Sequence, residues 1–177
     1  MGSGRRIRGA ALALVAIVAC ACGFTDMQNL AFRVDNRLHF VSPPARALVS
    51  TPLTVRWRVS GFTVEPAGSA PPRRDAGYFA AFVDRAPIKP GETMRSVANG
   101  DEECLHQRGC PGPDYLRFRG VYTTTADEVT VTAIPPLAGD NEMIQLHSVT
   151  VVLMDTSGHR IGEYAWELDL RMKKPGL

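Results

Sequence analysis

The chain has 177 residues, 45% of them hydrophobic, which is enough for one domain with its own core and too little for two. Aromatic residues are few, and 16 Gly with 13 Pro point to turn-rich β structure rather than a helical bundle. Setting aside Arg5, Arg6 and Arg8 turns the formal charge of +2 into a net charge near −1, with 17 basic against 18 acidic residues, so no basic stripe remains for nucleic acid. Arg supplies 17 of the 20 basic residues, a usage that a GC-rich, for example actinobacterial, genome writes.

The first 22 residues differ from everything after them. Arg5, Arg6 and Arg8 form a positive start, and Gly9 to Ala19 is an uncharged run of small and aliphatic residues with no polar face. The run is shorter than the ~20 residues of a membrane span and reads as the core of a cleaved signal helix. Arg8 stands where a twin-arginine signal has an apolar residue, which favours the general export route. The run ends in Ile17-Val18-Ala19-Cys20, which resembles the bacterial lipobox. That resemblance implies a signal peptide over 1–19, cleavage before Cys20, two acyl chains on that cysteine and a tether over 20–36. Cys22, in Ala21-Cys22-Gly23, is the alternative acceptor. Two acyl chains anchor stably where one does not, so the membrane is an expected partner, gripped by lipid from its extracytoplasmic face.

Residues 37–177 are expected to form the exported domain. Its first clear signal is Leu53-Thr54-Val55-Arg56-Trp57-Arg58-Val59, where apolar and polar residues alternate as in a half-buried strand. Residues 64–77 (VEPAGSAPPRRDAG) are too rich in Pro, Gly and charge for a core element and read as a solvent loop. Tyr78 to Val83 (YFAAFV) is apolar throughout and reads as a central strand buried on both sides. Tyr115–Tyr122 and Glu128–Ile134 are expected to form the next strand pair, with Pro135-Pro136 ending the second. Last, His147–Met154 meets Gly162–Met172 across the turn Asp155-Thr156-Ser157-Gly158. In the final run Tyr164, Trp166, Leu168, Leu170 and Met172 share one face, so Trp166 is expected to be a core anchor.

About seven short strands with turn clusters between them and no amphipathic helix indicate an all-β, antiparallel sandwich. The closing HSVTVVLMDTSGHRIGEYAWELDL is similar to the last hairpin of bacterial immunoglobulin-like and fibronectin-type domains. That resemblance implies an Ig-like β-sandwich, without the paired core cysteines of antibody domains, and implies no activity.

With Cys20 or Cys22 taken by lipid, Cys104 and Cys110 remain, in a charged stretch punctuated by Gly109, Pro111, Gly112 and Pro113. In an oxidising exterior they are expected to form a disulfide in an exposed loop. The alternative makes Cys104, His106 and Cys110 ligands of a soft metal, one short of a full set. His39, His106, His147 and His159 fall on four segments; His106 and His147, with Met94, Met143 or Met154, are the residues a copper site would use. No metal, and no cofactor of any kind, is nevertheless the expectation, because Met in a β core is commonly a gap filler. There is no Gly-x-Ser-x-Gly elbow, no His-Glu-x-x-His and no phosphate-cradling loop. Asp84, Asp155 and Glu163 are the carboxylates that could converge, but Asp84 and Asp155 end strands where Asp commonly caps turns. The expected function is therefore a non-enzymatic, lipid-anchored envelope protein that binds a protein or glycan, the alternative being an exported copper-binding domain. Residues 64–77 and 99–114 are the loops expected to carry contacts.

Overall fold

An apolar run with no polar side has to be covered on both faces, and in the computed structural model Ala76–Val83 (β5) is buried at all eight positions. The structure describes residues 34–139 and 142–174, and Asp35–Leu177 forms one compact unit. The leader, Cys20 and Cys22 lie outside the described residues. Among the described residues no helix is long and apolar enough to cross a membrane.

The other strands are Leu38–Ser42 (β1), Leu48–Val49 (β2), Leu53–Val59 (β3), Thr63–Val64 (β4), Val121–Thr124 (β6), Glu128–Val131 (β7), Ile144–Met154 (β8) and Arg160–Lys173 (β9). Between β5 and β6 come a 3-10 helix, Met94–Ala98, and two short helices, Glu102–His106 (α1) and Pro113–Phe118 (α2). The class is all-β, in two sheets. β1, β3 and β7 form a three-stranded antiparallel sheet. The larger sheet runs β2-β9-β8-β5, and β4 and β6 share the far edge of β5. Nine strands are described, against about seven expected. The two extra ones, β2 and β4, are two-residue parallel pairings, too short to carry a period.

Strict alternation places the core. In β3, Leu53, Val55 and Trp57 turn inward, while Arg56 pairs with Glu128 at 2.7 Å on the outer face. In β5, Phe79, Ala81 and Val83 enter a cluster with Trp57, Val131, Leu153 and Leu170 from both sheets. The alternate residues Tyr78, Ala80 and Phe82 enter a second cluster, closed by Ile88, Val97 and Leu116. The segment from 84 to 120 is thus a helical cover for the second face of the larger sheet.

Two strand assignments need correction. Tyr115–Phe118 is helix, because Pro113 opens α2 at a position that needs no N–H and the β-branched residues begin only at Val121. Gly120, at φ +70, ends that turn where a Cβ would press to 3.0 Å on the Val83 carbonyl. β6 and β7 also do not pair with each other. β6 joins β5 and β7 joins β3, one in each sheet.

The closing hairpin forms as expected, with β8 and β9 in register from Ile144↔Lys173 to Val151↔Trp166. Beyond that the register shifts, so β9 bulges around Gly162, whose φ is +69. Arg160 fills the bulge: its guanidinium donates to the carbonyls of Glu163 (2.7 Å), Tyr164 (3.2 Å) and Ile88. The bulge swings Tyr164 outward to 38% exposure, so four of the five residues expected on the core face are buried. Trp166 is among them, and its Nε1 donates to the Asp35 carbonyl at 2.9 Å. Trp166→Ala is expected to cost ~3–5 kcal/mol in chemical denaturation, from lost burial and a cavity. A cost under ~1 kcal/mol would contradict its assignment as a core anchor.

Candidate functional site

Cys104 and Cys110 stand at disulfide distance, with α-carbons 5.3 Å apart. Their surroundings differ from the exposed loop expected. Cys104 sits on α1 and is buried, because α1 packs beside the 3-10 helix over the larger sheet. Asp101 ties the segment together. Its Oδ1 accepts the Cys104 N–H at 3.0 Å, and its Oδ2 accepts from the Tyr115 hydroxyl at 2.9 Å and from Arg119 at 3.3 Å. Arg119 lies over the Tyr115 ring at 5.0 Å. One carboxylate thereby caps α1 and holds α2 to it. The Cys104 N–H, the Tyr115 hydroxyl and the Arg119 charge together keep the Asp101 carboxyl below its usual range, against a smaller desolvation effect.

Of the 64–77 stretch expected as loop, Val64 belongs to β4 and Ala76–Gly77 to β5, and the loop between them is held as firmly. Gly68 N–H donates to the Thr156 carbonyl at 2.6 Å, and the buried Thr156 hydroxyl donates to the Ala70 carbonyl at 2.8 Å. The loop is thus latched to the β8–β9 turn. That turn is itself built by Asp155, whose Oδ1 accepts from the N–H groups of Ser157 and His159 at 2.9 Å each. Burial alone would raise the Asp155 carboxyl; these donors and the Ser157 hydroxyl bring it below its usual range.

The two loops singled out in the sequence meet across one groove of about 560 Å³. Pro66 and Ala67 form one wall, and Pro111 and Pro113 the other. Tyr78, Met94, Leu116 and the run Thr123–Thr125 complete the lining, in which no residue carries a charge. Burial, and then the Asp155 charge, raise the Tyr78 hydroxyl above its usual pKa, so it stays a neutral donor and acceptor. The pattern of β5 places Tyr78 on this face. Met94, a copper candidate in the sequence, lines this groove away from His106 and His147, while Leu116 and the three threonines carried no signal of their own, since only the tertiary packing of α2 and β6 brings them here.

The remaining sequence candidates disperse. His39, His106 and His159 are exposed on separate segments, and His106 Nδ1 bonds the Glu102 carbonyl at 2.6 Å. Met154 is buried in the second cluster and Met143 is exposed at the start of β8. Among the described residues no three of His, Cys, Asp and Glu gather as metal ligands, and the sulfurs of Cys104 and Cys110 are joined to each other. The three carboxylates do not converge either: Asp84 and Asp155 follow opposite ends of the β5–β8 ladder, and Glu163 is exposed. What sequence reading missed is a contact between β5's end and β8. Asp84 Oδ2 lies 2.7 Å from His147 Nδ1, and Asp84 Oδ1 accepts the Ser148 N–H at 2.9 Å. Ser50 and Thr51 line a cleft with His147, but among the described residues neither hydroxyl bonds the imidazole, the contact a nucleophile–base pair requires. The chain matches no protein-family model, no curated protein and no solved structure.

Two outcomes follow from the cover segment. Replacing Cys104 and Cys110 together by serine should cost ~2 kcal/mol by closing so short a loop, with the far-UV spectrum unchanged; loss of the β signal would mean the bridge holds the fold itself. Asp101→Ala should lower the melting temperature at neutral pH. Because the folded carboxyl titrates below its unfolded value near 3.8, the stability it adds is complete above that value and fades as pH falls through the folded one. The wild-type and variant melting curves should therefore converge in acid.

Proposed function

We propose that the chain is an exported lipoprotein of a bacterial envelope, anchored at Cys20 or else Cys22, and that its β domain is a non-enzymatic module that binds a protein or glycan in the groove between residues 66–67 and 111–113. The observation that carries this reading is the meeting of those two loops, far apart in sequence, in one groove with each loop fixed by its own device. Walls held before binding lose less conformational freedom on binding, which favours affinity from a modest area. An uncharged lining of prolines, an aromatic hydroxyl and threonines suits an extended peptide or a sugar face better than a charged small molecule. The paired cysteines agree with an oxidising compartment.

The anchor and the groove are tested separately. Cys20→Ser should abolish acyl labelling and release the protein from membranes; labelling lost only in Cys22→Ser would move the anchor, and membrane partitioning unchanged in both would overturn it. Ala67→Arg and Thr123→Arg, at exposed positions, should change stability by less than ~0.5 kcal/mol. Both should abolish capture of the envelope partner by the full-length chain, and unaltered capture in both would overturn the groove.

A further inference from the structure

The first core-facing positions of β8 are polar, Gln145 and His147, and Val149, Val151 and Leu153 follow them on the same face. Gln145 is used structurally: its Oε1 accepts the Leu137 N–H at 3.1 Å and its Nε2 donates to the Leu137 carbonyl at 3.3 Å. His147 is used at one nitrogen only. Its side chain is 3% exposed and its Nδ1 lies 2.7 Å from Asp84 Oδ2, while nothing among the described residues bonds Nε2. Nε2 is also not among the polar atoms sealed from solvent. The ring lines a cleft of about 410 Å³ between β2, the Ile134–Pro136 segment and the end of β9.

The partner decides which nitrogen carries the proton. A carboxylate that already takes the Ser148 N–H on its other oxygen only accepts, so Nδ1 donates to Asp84. The proton of the neutral ring therefore lies on Nδ1, and Nε2 presents a lone pair. Capping the β5–β8 ladder does not explain the imidazole. Asp84 meets that need with Oδ1 and with its own N–H, which donates to the Ser148 carbonyl at 3.0 Å. An apolar residue at 147 would continue the row of Val149 and Val151 and bury no polar atom. Beside the ring the walls are apolar, from Val49, Ile134, Pro136 and Met172, with the Ser50 and Thr51 hydroxyls next to them. Lys173 also borders the cleft, but alternation along β9 turns its side chain to the face opposite Met172. An acceptor set among apolar walls, with no charge turned towards it, selects a donor that carries no charge. A carboxylate would set its own lone pairs against that of Nε2. Among the described residues no second His, and no Cys, Asp or Glu, lines the cleft to complete a metal site.

We propose that this cleft binds a small uncharged molecule with an apolar body and a hydroxyl group, a phenol or an alcohol. The hydroxyl donates to His147 Nε2, and the Ser50 and Thr51 hydroxyls are the donors in the lining for its oxygen. The body packs on Ile134 and Met172, in a space of the size that small-molecule sites have. The site is separate from the loop groove and does not rest on the function proposed for it.

The test titrates the purified full-length chain with phenol, with toluene as its isostere lacking the donor, and with benzoate, and follows the side-chain nitrogen resonances of the histidines. In the free protein His147 Nε2 should resonate as an unprotonated nitrogen and Nδ1 as a protonated one. Phenol should move the Nε2 resonance and leave those of His39, His106 and His159 in place. Toluene should bind about threefold to tenfold more weakly, the ratio expected for one neutral hydrogen bond lost. Benzoate should also bind more weakly than phenol. In His147→Phe the preference for phenol over toluene should vanish; if that variant does not fold, the ligand series on the wild type decides alone. Ala67→Arg in the groove, at an exposed position, should leave phenol affinity unchanged. A protonated Nε2, no shift at His147 with saturating phenol, or toluene or benzoate bound as tightly as phenol would each overturn the proposal. So would a preference kept in His147→Phe, an affinity lowered by Ala67→Arg, or a metal ion held on Nε2.

Discussion

The structure depends on covering both faces of β5. Eight successive buried residues have no solvent side, so each alternate set needs its own apolar layer. The three-stranded sheet supplies one, through Trp57, Val129 and Val131; the segment between β5 and β6 supplies the other, through Ile88, Val97 and Leu116. Nearly everything else serves those two contacts. The disulfide and the Asp101 cap hold the helical cover in shape. The Thr156 latch fixes the loop that leads into β5. Even the glycine entering the strand is required by closeness: a Cβ on Gly77 would lie 1.9 Å from the Met154 carbonyl oxygen.

The bulge in β9 shows how a local irregularity is made tolerable. Extra residues in one strand leave carbonyls without ladder partners, and buried carbonyls without donors are costly. Arg160 answers with one guanidinium across three carbonyls, two of the bulge and one of the cover segment at Ile88. The charge is kept from water, among the described residues no carboxylate bonds it, and desolvation lowers its pKa from the ordinary value, with Glu163 opposing. A Lys in its place would carry the charge but not the planar fork that reaches three acceptors. The bulge and the arginine therefore have to be present together.

Much of this was legible in the chain because β structure writes its faces at period two. The Leu53–Val59 strand and the closing hairpin follow from alternation, β5 from its unbroken apolar run, and the disulfide from the expectation that an exported chain pairs its two remaining cysteines. The failures have physical causes. A six-residue helix such as α2 is too short to display a helical period, and its Tyr-Leu-Arg-Phe run reads equally well as strand. Two-residue pairings show no pattern at all. Tyr164 leaves the core face because a bulge resets alternation without altering composition. The Asp84–His147 contact joins residues 63 apart in sequence, and the threonines of the groove are ordinary strand residues until α2 packs beside them.

Covering β5 twice also sets a hazard during synthesis. Its main partner, β8, begins more than sixty residues later, and the ladder between them ends at Tyr78↔Met154. Until the chain has been made or delivered to residue 154, Tyr78–Val83 has no β8 to pair with. An uncharged stretch of six such residues, high in β propensity and free of proline, is the kind that recruits copies of itself. Arg73, Arg74 and Asp75 just before it and Asp84 and Arg85 just after place charge at both ends, where it opposes that stacking while the strand waits.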